Sequence, residues 1–93
     1  MGTINGIRVE GLLDSDRPDS GTLSYAGTLR LARFEADALR VIMTTRPDEP
    51  LIYEGRVRDG GRQVKVRIPV RVDIAGPGHT RIAVSSVKPL TSG

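Results

Sequence analysis

Six basic side chains crowd one short stretch of this chain: Arg56, Arg58, Arg62, Lys65, Arg67 and Arg71, with Asp59 the only acid among them. Side chains of one sign at that density suit one kind of chemistry, contact with an anionic partner such as a phosphate backbone or an acidic protein surface. The formal net charge is only +3, but it is unevenly spread. Residues 1–55 carry six basic and nine acidic side chains, whereas residues 56–93 carry eight basic and two acidic ones. Two readings follow: the basic half neutralises the acidic half inside one fold or between copies, or it meets an external anion.

Other chemistry has weaker support. His79 is the only histidine and follows Gly76-Pro77-Gly78. No Gly-x-Ser-x-Gly places a nucleophile near it, so it reads as an exposed turn residue. Asp14, Asp16 and Asp19 are spaced loosely like a calcium loop. Counting from Asp14, however, Pro18 falls at the fifth position, Asp19 at the sixth and Tyr25 at the twelfth, where an oxygen ligand, a glycine and a glutamate belong. Glu35, Asp37, Asp48, Glu49 and Glu54 could serve as paired acids and bases, yet nothing in their spacing sends two of them to one cleft. No phosphate-cradling Gly-x-x-x-x-Gly-Lys-Ser/Thr occurs. The absence of cysteine excludes disulfides and thiolate metal sites. The expectation is a chain with no catalytic residues, no metal and no cofactor.

The basic side chains are positioned by strands. From Val64 to Ile74 the chain reads Val-Lys-Val-Arg-Ile-Pro-Val-Arg-Val-Asp-Ile, with an apolar, β-branched residue at every second position. Period-two alternation of that kind marks a strand with one buried and one wet face. Lys65, Arg67 and Arg71 then share the wet face. Leu51 to Arg58 forms the preceding strand, with Tyr53, Gly55 and Val57 on one side. Asp59-Gly60-Gly61 makes the hairpin turn, because glycine supplies positive φ. With Val57 inward, Arg56 and Arg58 join the outer face, and Arg62 stands in the turn. Pro69 cannot donate a ladder hydrogen bond, which predicts that the long strand bends or bulges there and serves two sheets, one on each side, or is an edge at that point.

The remaining elements follow in order. Thr3 to Leu13 reads as a first strand, with Asn5-Gly6 as a kink or bulge rather than a true hairpin. Residues 14–21 form a polar loop, and Thr22 to Phe34 a second strand. Leu39 to Thr45 reads as a third strand after a turn at 35–38. A helix competes here, since Leu31, Phe34, Ala38, Val41 and Ile42 sit at helical spacing, but the flanking β-formers favour the hairpin. Thr80 to Val87 is the last strand, and residues 88–93 are expected to fray. The fold class is all-β: an antiparallel meander of about six strands in one domain over 1–93, closed as a small barrel or barrel-like sandwich, of the oligonucleotide-binding or SH3-like kind.

Such a chain has little room for a deep pocket. The expected function is a non-catalytic protein-interaction or assembly module that associates with itself or with another protein. The alternative is a non-specific, electrostatic nucleic-acid-binding barrel using Arg56, Arg58, Arg62, Lys65, Arg67 and Arg71. Three aromatic residues, none interleaved with the arginines, speak against base stacking. No apolar run reaches the roughly 18 residues that span a bilayer, and the first residues lack a signal peptide's pattern. A cytoplasmic location without membrane contact is expected.

Overall fold

The computed structural model describes residues 2–16, 24–74 and 81–86. His79, Asp19 and the expected tail at 88–93 lie outside them. The elements in chain order are β1 (Gly2–Ile4), β2 (Ile7–Val9), β3 (Leu13–Asp16), β4 (Ser24–Arg30), α1 (Arg33–Thr45), β5 (Leu51–Asp59), β6 (Arg62–Ile74) and β7 (Arg81–Ser86).

The alternating stretch forms β6 as expected. Ile68 and Val70 are buried, Val66, Val72 and Ile74 half-buried, and Lys65, Arg67, Arg71 and Asp73 exposed. β6 pairs with β5 from Arg62 to Val70 and with β7 from Val70 to Ile74. Val70 faces Leu51 on one edge and Ser86 on the other, so the strand changes neighbour there. Pro69 stands one residue before the change. Its cross-strand partner Ile52 directs its N–H to Asn5 Oδ1 (2.8 Å) and its carbonyl to the Asn5 N–H (3.2 Å), away from β6. In an antiparallel ladder Pro69 must then point its own nitrogen away from β5. The missing donor costs the β5–β6 ladder nothing.

The wall runs β5-β3-β4-β7-β6 and closes through the β5–β6 pairing, giving a small five-stranded barrel. Its pairings are antiparallel except β3–β5, which is parallel. The meander order is broken at that seam. β1 and β2 form a separate hairpin attached to β5 through Thr3–Glu54 and Ile4–Tyr53. Asn5 (φ 50°) and Gly6 (φ 85°) make its two-residue turn, so the expected kink is a true hairpin. Positive φ at both turn positions matches the strand twist, and the Asn5 side chain ties the turn to β5.

The expected third strand is instead the second half of α1. Ala36 and Leu39 are buried and Met43 half-buried along one face, a helical period that outweighs the β propensity of Val41 to Thr45. Thr44 and Thr45 turn their hydroxyls onto the carbonyls of Arg40 and Val41, each at 2.7 Å, which accommodates β-branched residues in a last turn. The helix stops at Arg46, the residue before Pro47.

The core gathers Ile4, Val9, Leu13, Leu29, Leu39, Tyr53, Val57 and Ile82, each less than 2% exposed. Tyr53 also donates its hydroxyl to the Arg56 carbonyl at 2.8 Å. Its ring crosses Gly55, where a Cβ would stand 2.6 Å from the tyrosine oxygen and 3.0 Å from Gly2 Cα. Tyr53→Phe removes that hydrogen bond, and the expected loss of stability is roughly 0.5–1.5 kcal/mol. Gly55→Ala displaces the ring and costs about 1–3 kcal/mol. Urea unfolding measures both, and the double variant should lose less than the sum because the two changes break one contact. Burial raises the Tyr53 pKa above 10.0. The folded chain therefore holds that proton to higher pH than the unfolded chain. Stability from this group is complete below pH 10.0 and falls as pH rises above it, a dependence that Tyr53→Phe should remove.

Candidate interaction surfaces

Val57 is fully buried, so its neighbours Arg56 and Arg58 project from the outer face of the β5–β6 hairpin. Lys65 and Arg67 share that face, with Arg62 at the turn made by Gly60 (φ 59°) and Gly61 (φ 83°). Two of these cations have acidic neighbours from the first half of the chain. Arg67 Nε lies 3.2 Å from Glu54 Oε1, and an Arg58 guanidinium nitrogen lies 3.5 Å from Asp14 Oδ1. Arg56 and Lys65 face each other directly across the strands, and among the described residues neither has a carboxylate partner. Arg71 is not brought to this group. It lies past Pro69, opposite Ser85 on the wall formed with β7.

One edge of this hairpin is unpaired among the described residues. From Arg62 to Pro69, no described residue pairs with β6 on the side away from β5. Since Pro69 turns its nitrogen to that side, Gln63, Lys65 and Arg67 direct their backbone N–H and C=O groups there too. On the inner face of the same segment Val64 is 41% exposed.

The second surface is the outward face of α1. Phe34 is 80% and Val41 59% exposed, and Ala38 lies between them on the same side. The helical spacing of these residues is visible in the sequence, but the residues that face the barrel are Ala36, Leu39 and Met43. Asp37 and Arg40 flank the stripe with an ion pair of 3.3 Å.

A third feature has no signal in the sequence. Beside the Glu10–Arg30 bridge and the start of α1, a cleft of about 350 Å³ is lined by Arg8, Glu10, Arg30, Leu31, Ala32 and Glu35. Glu35 Oε2 is buried and accepts no hydrogen bond. The other acids remain apart: Glu54 is on β5, Asp37 on α1, and Glu49 lies 3.5 Å from Arg46 in the turn after the helix. Among the described residues no three carboxylate or imidazole groups converge as a metal site, and no helix is long and apolar enough to cross a membrane.

Comparison with protein-family models, with curated proteins and with solved structures finds no match to this chain.

The Arg56–Lys65 contact carries its own test. Like charges directly opposite on a sheet are destabilising. Lys65→Glu should raise stability by roughly 0.5 kcal/mol at low ionic strength, discounted for exposure, with most of the gain lost in high salt. Denaturant midpoints at two salt concentrations measure it.

Proposed function

We propose that this chain is a non-catalytic interaction and assembly module that associates with itself, in a reducing, cytoplasmic setting. One observation carries the reading: the only phenylalanine of the chain stands 80% exposed on α1, in line with the 59% exposed Val41. Apolar side chains aligned on one outward helix face are typical of a surface covered by a partner.

A second copy is the occupant that the charges favour. Two α1 helices related by a two-fold axis perpendicular to them run antiparallel, and each presents the same flank to the other. With Ala38 near the axis, Phe34 meets Val41 of the partner subunit, and Asp37 meets Arg40 of the partner subunit. The flank is thereby self-complementary in charge, and alanine at the centre permits close approach. A helix of 13 residues is about 20 Å long, so the contact is small and the association weak.

The nucleic-acid reading has less support. Arg58 and Arg67 are engaged by carboxylates, and Arg71 lies apart from the other five. Tyr25 and Tyr53 are buried, and Phe34 belongs to α1 rather than to the basic hairpin, so no ring is set among the arginines to stack a base.

Sedimentation equilibrium should show a monomer–dimer equilibrium with a Kd between roughly 10 μM and 1 mM. Phe34→Ser should remain monomeric throughout that range with its thermal midpoint unchanged, because the side chain touches little of its own fold. A wild-type chain that stays monomeric at the highest concentration, or a Phe34→Ser variant that dimerises as well as wild type, rules this reading out.

A further inference from the structure

Beyond α1, we propose that the open edge of β6 receives an extended acidic segment of another protein as an added strand. The edge offers the backbone groups of Gln63, Lys65 and Arg67 to a neighbour, and Pro69 ends the pairing on the side toward β7. On the outer face Lys65 and Arg67 stand along the edge, with Arg56 directly behind Lys65. On the inner face Val64 is 41% exposed, and Val66 is half-buried against the core. A strand alternating acidic and apolar residues satisfies all three features together. Its backbone completes the ladder, a carboxylate faces Lys65 with Arg56 behind it, and its apolar side chains close over the two valines.

Charge selects this occupant over the nearer ones. A second copy pairing through the same edge would bring Lys65 and Arg67 against their own counterparts, placing like charges opposite each other. The chain's own residues 87–93 carry Lys88 and no acidic side chain. A polyanion such as single-stranded DNA would answer the charge but not the backbone groups or the valines.

The test titrates the full chain, as wild type and as Phe34→Ser, with a fluorescein-labelled hexapeptide alternating Glu and Val. Using both chains separates this edge from association through α1. Fluorescence anisotropy should show binding to both. A block-ordered peptide of the same composition should bind about tenfold more weakly, as should the alternating peptide to Lys65→Glu. Methylating alternate peptide nitrogens on the hydrogen-bonding side should abolish binding, a control that leaves the protein's own fold untouched. Amide exchange at Gln63, Lys65 and Arg67 should slow when the peptide binds. Equal binding of the block-ordered or methylated peptide, or tighter binding of oligo-dT at equal charge, overturns the proposal in favour of a general polyanion surface. Protection of those three amides in the free chain also overturns it, since the edge would then be occupied by residues 87–93 or by another copy.

Discussion

The architecture depends on β5 sharing one edge between two neighbours. Its first half pairs there with β1 at Tyr53 and Glu54, its second half with β3 at Val57 and Arg58, and residues 55–56 fall in the gap. Ile52 directs its backbone groups to this edge, and by alternation so does Arg56. In the parallel register of Leu13 with Val57, the Arg56 carbonyl faces the Leu13 N–H and opens the β3–β5 ladder. The Tyr53 hydroxyl adds a second donor to the same carbonyl at 2.8 Å. Glycine at 55 follows, because the ring crosses that position. Glycine at 2 follows as well, because its Cβ would stand 2.7 Å from the Glu54 carbonyl oxygen and 3.1 Å from the ring. One hydrogen bond thus ties the β1–β2 hairpin, the parallel β3 seam and the barrel wall to the same point.

β6 meets the same topological demand with different chemistry. It too exchanges one neighbour for another, at Val70, but its two neighbours lie on opposite edges. Where β5 adds a donor from a side chain, β6 removes one by placing proline just before the exchange. The consequence differs in kind. β5 has a neighbour on both sides through most of its length, whereas no described residue pairs with the far edge of β6 along its basic, hairpin-proximal half. Closing a small barrel with one strand of 13 residues leaves that remainder outside the wall.

What the sequence made legible was local and periodic. The alternation through 64–74, the inward Tyr53, Gly55 and Val57, the Gly60-Gly61 turn and the double service of the Pro69 strand all follow from spacing within a few residues. The helix was lost because Val41 to Thr45 has strand propensity, while the face that decides the matter, Ala36, Leu39 and Met43, gains its meaning only from what packs against it. Reading 3–13 as one strand hid the Asn5-Gly6 turn despite its strong dipeptide. The parallel β3–β5 seam joins residues more than forty positions apart, and the Arg58–Asp14 ion pair exists only because of it. The Arg8, Arg30 and Glu35 cleft is likewise a product of topology.

The uneven charge of the two halves allowed internal neutralisation or an external anion, and the β5–β6 hairpin displays the difference between adjacent rows. In one row Glu54 stands opposite Arg67 and the pair is closed. Two residues along, in the same two strands and on the same face, Arg56 stands opposite Lys65. Beyond it Arg58 is held from the side by Asp14. A hairpin selected for stability alone would carry an acid in the middle row as it does in the Glu54–Arg67 row. The uncompensated pair instead sits beside Gln63, Lys65 and Arg67, whose backbone groups have no strand among the described residues. Unbalanced charge and unpaired backbone coincide within three residues of one strand, and a single acidic strand would satisfy both.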